Sequence, residues 1–333
     1  LQAVLERLSN IEISKKRFYL ALVGLVFIYV LVSFHEINIP DCIGYMRCFD
    51  VDRRERELYR WNFDENFIEN FNLRYSLTML LLAVSRDLFG SPRIFTLASS
   101  VMFLVLVALV GRDVSKSRFF GLVALVFMSI DPIFLRYDSS ITYPNFWVTA
   151  FMFSVYLCLR KTITCFLPYL FSIPLKILTV LYFPVILFVG AWEVKRKIGL
   201  LVVFFAVILV ALAYAVFTED PLLGNTKGFS PYWFVYGLGM WAYDVKDNPV
   251  FLGFIFVSLF GLIILRKYNV EHSRAMLWSI LYFLVNPAIY SGFSTFTIEP
   301  YRFFVMFAFV YISIAMVLKN LPLIFSDLKK KPF

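Results

Sequence analysis

The sequence predicts an all-α polytopic membrane protein, a bundle of about ten transmembrane helices with interfacial helices in its first outer loop. Three observations lead there. Sixty per cent of the 333 residues are apolar and 19% aromatic, 39 of them Phe, more than the surface of a soluble chain of this length tolerates. Apolar runs recur along almost the whole chain. Lys and Arg fall in short clusters at the ends of those runs, the pattern by which loops hold their side of a bilayer.

Taken in order, the predicted spans are 18–34, 94–111, 118–134, 144–160, 163–174, 176–193, 199–217, 249–266, 275–292 and 302–318. Each is an apolar stretch edged by charge, proline or glycine. The basic clusters Lys15 to Arg17, Arg112 to Arg118, Arg160-Lys161, Lys195 to Lys197, Arg266-Lys267 and Lys329 to Lys331 then share the cytoplasmic side, with both termini. That holds only if 73–90 does not cross. This segment is apolar but charged at Arg74, Arg86 and Asp87, so it is expected as an interfacial helix along the outer leaflet. Pro168, Pro174 and Pro184 interrupt 163–193, and broken helices at membrane depth are tolerated where they line a cavity. Residues 35–93 form the first outer loop. The turn 135–144 is a second outer segment, and residues 218–248 form a further, aromatic one marked by Tyr232, Trp233, Tyr236, Trp241 and Tyr243. No separate soluble domain or repeat is expected, so residues 1–333 read as one transmembrane domain.

The net charge of +9 does not point to nucleic acid, because the cations are distributed as topology signals. The chain begins at Leu1, which suggests trimming or processing. Its first apolar run is too long for a leader peptide and reads as a retained span. Four cysteines form no framework. Cys42 and Cys48 share the first outer loop, where either a bridge or two unpaired thiols fits.

Chemistry is expected on the outer face, where carboxylates concentrate. Asp41 follows Ile-Asn-Ile-Pro40 at the membrane surface, where a partly desolvated carboxylate can take a proton from a hydroxyl. Asp50-Val-Asp52 is a solvated turn or a place for a divalent metal, Mg or Mn. Asp138 and Glu299 complete the acidic set. Arg74, Arg136, Lys176 and Arg302 are cations on the side the topology disfavours; they suit a phosphate, or else snorkel or pair, as Glu299 and Arg302 can at i,i+3.

The order of these features resembles the GT-C integral-membrane glycosyltransferases, in particular the branch of dolichyl-phosphate-mannose protein mannosyltransferases and aminoarabinose transferases. Asp41-Cys-Ile-Gly-Tyr45 resembles that family's Asp-acid-x-x-Tyr element, with Cys42 where a second acid is usual. Asn72-Leu-Arg-Tyr-Ser76 holds the place of a His-Pro-Pro-like motif whose characteristic residues are absent. Ser129 to Asp138 resembles the second outer loop, with Tyr143 before Pro144 where an Asp is frequent. Leu175 to Pro184 resembles the Lys-bearing segment, and Glu299-Pro-Tyr-Arg-Phe-Phe304 the Arg-Tyr element opening the last span.

The resemblance implies a GT-C-like bundle and an inverting hexosyltransferase. It would move a sugar from a polyprenyl (dolichyl) phosphate to a hydroxyl on a protein, lipid or glycan acceptor. Asp41 would be general base and Asp138 an orienting carboxylate. Arg74, Lys176 and Arg302 would hold the donor phosphate, and Tyr45, Arg136 and Glu299 the acceptor or sugar. The expected setting is a bilayer, the plasma membrane of a prokaryote in preference to the endoplasmic reticulum. A transporter and a non-catalytic GT-C-like subunit are the alternatives.

Overall fold

A computed structural model describes residues 2–36, 76–141, 144–217, 229–244, 249–293 and 303–330. Among them the chain is helical, with no strand. The helices are α1 Gln2–Ser9, α2 Lys15–Glu36, α3 Ser76–Phe89, α4 Arg93–Ser115, α5 Arg118–Ser129, α6 Pro132–Tyr137, α7 Phe146–Leu159, α8 Phe166–Leu175, α9 Phe183–Val189, α10 Val194–Phe217, α11 Pro231–Asp244, α12 Pro249–Lys267, α13 Ser273–Phe293, α14 Phe304–Lys319 and α15 Leu321–Lys330. Short 3-10 turns at Ile163–Cys165 and Ile177–Tyr182 lead into α8 and α9.

The predicted bundle of about ten spans is corrected by helix length. Among the described residues, four helices are long and apolar enough to cross a bilayer: 15–34, 93–115, 249–267 and 273–292. A fifth follows if α14 and the helix after it, bent by 71°, count as one span. The apolar runs expected as spans at 118–134, 144–160, 163–174 and 176–193 become helices of 10–17 residues. A 12-residue helix rises only about 18 Å against a hydrocarbon core of about 30 Å. The causes are local. Asp131-Pro132 starts a new helix after α5, with the Asp131 carboxylate capping the Ile133 and Phe134 amides at 2.9 Å. Pro174 and the extended Lys176 end α8, and Gly190 ends α9. Residues 76–89 do not lie alone along an interface either: Met79, Leu82 and Ala83 are buried, and the helix packs on α4 and α8.

The core is centred on α14, whose residues from Phe304 to Val317 are all buried against α4, α5, α12 and α13. Aromatic rings fill it: Phe134 stacks on Tyr29 and tilts against Phe103, and Phe251 meets Phe307 edge-on at 4.4 Å. Without a hydrophobic driving force in lipid, helices associate through small residues that let backbones approach. Gly121 of α5 does this against α4; a Cβ there would sit 2.6 Å from the Ala108 carbonyl oxygen and 2.9 Å from Arg112. Exposed faces are apolar, as with Leu20, Val23, Phe27 and Leu31 on α2 and Phe205, Leu209 and Val210 on α10. Together with the four long apolar helices, these faces are those of a multi-pass membrane protein.

Candidate functional site

Two polar regions stand out, one at each end of α4. The first is a buried seam around α6. Tyr29 and Ser33 lie one turn apart on α2, on one face, and donate to Asp138 Oδ2 at 2.8 and 2.6 Å. Ser100 of α4 donates to the Asp138 carbonyl at 2.5 Å and accepts from Asn145 Nδ2 at 2.8 Å. At the other end of α6, Asp131 Oδ2 accepts from Tyr311 of α14 at 2.5 Å. The two carboxylates flanking α6, each 1% exposed, therefore tie this short helix to α2 and α14.

The sequence-predicted residues divide accordingly. Asp138 lies in the seam, Arg136 is exposed on α6, and Lys176 is half-buried at the break between α8 and the 177–182 turn. Leu178 and Tyr182 of that turn face Asn286, Tyr290, Phe303 and Met306 around a cavity of about 10 Å³, room for one water. Asp41, Tyr45, Asp50, Asp52, Arg74, Glu299 and Arg302 lie outside the described residues. Among the described residues, no group of three His, Cys, Asp or Glu side chains is placed to hold a metal ion.

The second region is a cleft of about 420 Å³ at the opposite end of the bundle. It is lined by Glu12, Arg112, Asp113, Lys116, Arg118, Leu159 and His272. Four chain segments bring these together, and ion pairs and caps fix them. Asp113 holds Arg112 at 2.6 Å and Arg160 at 3.4 Å, and Arg112 also lies over the Phe18 ring, 5.8 Å from its centroid. Lys116, the left-handed C-cap of α4 at φ 55°, reaches Glu271 across the α12–α13 turn at 3.1 Å. Arg118 Nη1 donates to the Ile13 carbonyl at 3.2 Å. Lys319 Nζ donates to the Ser9 carbonyl at 2.5 Å and lies 3.9 Å from Glu12. Among the described residues, the other non-glycine residues with positive φ, Lys161, Asn269 and His272, also occupy turns at this end.

The electrostatics favour an anion. Arg112, Lys116 and Arg118 face two carboxylates, Glu12 and Asp113. The N-terminus of α5 opens at Arg118, and its N-cap, Ser117, makes no side-chain cap hydrogen bond. An N-terminus without a side-chain cap presents N–H groups and a positive dipole end. The hydrogen bond from Lys116 holds the Glu271 carboxyl below its ordinary range. Burial pushes the His272 imidazole below its own, against the opposing pull of Glu271 at 3.3 Å.

Sequence reasoning treated Arg112, Lys116 and Arg118 as topology signals and left Glu12, Asp113 and His272 aside. A signal existed in part: Asp113 and Glu271 are carboxylates inside otherwise basic turns. Tyr29 and Ser33 could have been paired by their i,i+4 spacing; their partner just after α6, 109 and 105 residues further on, could not.

No protein-family model, no curated protein and no solved structure matches the chain. The GT-C resemblance is thus corrected on two grounds: no family match supports it, and four or five membrane-length helices among the described residues replace the expected ten-span bundle. The inverting glycosyltransferase, its polyprenyl-phosphate-sugar donor, its protein, lipid or glycan acceptor and the non-catalytic subunit of the same fold were drawn from that bundle and fall with it.

Proposed function

We propose that this multi-pass membrane protein binds a phosphate-bearing anionic headgroup in the cleft on its basic face, and that this face is cytoplasmic. One observation carries the reading: Arg112, Lys116 and Arg118 converge with the uncapped start of α5 on an open cleft of about 420 Å³ at the ends of the membrane-length helices 93–115 and 273–292. Basic pockets between helices on the cytoplasmic side recognise anionic headgroups, and the surface potential of that leaflet concentrates them. Asp113 and Glu12 do not cancel the site. Asp113 orients Arg112, Glu12 lies 3.9 Å from Lys319, and together they leave one net positive charge in the lining with His272 neutral. Asp138 acts in this account as a tie between α2 and α6, its Oδ2 engaged by Tyr29 and Ser33.

Native mass spectrometry in a neutral detergent tests the reading, with short-chain phosphatidic acid, short-chain phosphatidylcholine and inorganic phosphate as separate probes. Retention of phosphatidic acid over phosphatidylcholine is expected, weakened about tenfold by Arg118→Ala, the loss of one charge-assisted contact. Phosphate competing at equal concentration identifies a free-anion site; failure to compete identifies a lipid. Equal retention of both lipids, or indifference to Arg118→Ala, overturns the reading.

A further inference from the structure

We propose that His272 is the residue that makes anion binding in this cleft proton-dependent, contacting the bound phosphate as an imidazolium; this rests on the function proposed above. The sequence contains two histidines, and the other, His35, belongs to the opposite end of α2. His272 sits in the turn between α12 and α13 at φ 65°, a conformation costly for a residue with a Cβ and fixed here by the Ser273 and Met276 backbone hydrogen bonds. Its side chain is 9% exposed, yet it lines the cleft beside Arg112, Lys116 and Arg118.

The charges facing it come from every neighbouring segment. Glu271 lies 3.3 Å away on its own turn and is itself engaged by Lys116 of the α4–α5 turn. Asp113 at the end of α4 and Lys161 in the α7–α8 turn also act on it. The two carboxylates favour the imidazolium, while the two lysines and burial oppose it, and opposition wins. A phosphate changes that balance. It screens Lys116, adds negative charge next to the ring and accepts the ring N–H, so protonation and binding assist each other. Linkage makes the effect reciprocal: the factor by which protonation tightens phosphate binding equals the factor by which phosphate raises the imidazole's proton affinity.

The test follows the His272 ring proton by NMR on the full chain in neutral detergent, with and without inorganic phosphate, alongside phosphate affinity at pH 7.5 and 5.5. The expected result is a titration midpoint displaced upward by phosphate and about tenfold tighter binding at the lower pH, one unit of coupling. His272→Gln should lose the gain in affinity between pH 7.5 and 5.5, so the ratio of the two affinities, not the affinity at either pH, carries the result. Binding that tightens equally in His272→Gln, or a midpoint that phosphate leaves in place, overturns the role of His272 alone. A wild-type chain that binds no phosphate at either pH sinks the anion site itself.

Discussion

Replacing Gly121 with alanine tests the contact that sets the geometry of both bundle and cleft. The added Cβ would lie 2.6 Å from the Ala108 carbonyl oxygen and 2.9 Å from the Arg112 Cβ and amide nitrogen. Those atoms are backbone or next to it, so they cannot swing aside. Reaching an ordinary 3.4 Å contact requires α4 and α5 to part by about 0.8 Å, the gap between 2.6 and 3.4 Å. Overpacking of this kind costs about 1–3 kcal/mol. Replacing a helical glycine with alanine returns about 0.5–1 kcal/mol. The net is a loss of about 0–2.5 kcal/mol, centred near 1 kcal/mol, a melting midpoint lower by roughly a few degrees. Gly199→Ala in α10 is the control: nothing lies within 4 Å of its added Cβ, so only the gain applies and the midpoint should hold or rise. Parting the two helices also moves Arg112 away from Arg118, so phosphate affinity should fall in Gly121→Ala and not in Gly199→Ala. Paired thermal unfolding in detergent reads the first effect and phosphate titration the second. If Gly121→Ala melts at or above Gly199→Ala, the close approach of α4 and α5 is wrong.

Other consequences are as specific. Tyr29→Phe should cost about 1–2 kcal/mol in a thermal melt, and Asp138→Ala more, about 2–4 kcal/mol, because both Tyr29 and Ser33 lose their acceptor. Asp131→Ala removes a helix cap and the acceptor of Tyr311 together, for a loss of about 2–4 kcal/mol by the same assay. Because the folded His272 is held below its ordinary value, the unfolded chain binds more protons near pH 6; stability without phosphate should therefore fall as pH drops through the usual histidine range, and His272→Gln should flatten that slope. With Cys42 and Cys48 replaced by serine, Asn269→Cys in the α12–α13 turn should react with an impermeant maleimide only after permeabilisation; labelling of intact cells would place the basic face outside.

Where apolar runs are long and bounded by cations, the helices were legible: 18–34 falls within α2, 94–111 within α4, and 249–266 and 275–292 within α12 and α13. What failed was counting spans by apolar length. Residues 118–134 look continuous, but Asp131 finds amide and phenol partners and uses them to start a new helix. Run length cannot show that a carboxylate inside it will be satisfied. At Lys176 the chain extends for one residue between two short helical segments, and composition alone cannot place such a break. The cleft was illegible for a different reason. Glu12, Arg112, Arg118 and His272 meet only because four turns share one face, and each basic cluster, taken alone, is accounted for by topology.

The central claim is tested most directly by calorimetric titration of delipidated protein with short-chain phosphatidic acid, comparing wild type with the Lys116→Ala/Arg118→Ala double variant. The account predicts saturable one-site binding in the wild type, weakened about a hundredfold in a double variant that remains folded, roughly a factor of ten for each lost cation. Equal affinity in the two proteins would place the headgroup elsewhere and contradict the assignment of the basic cleft.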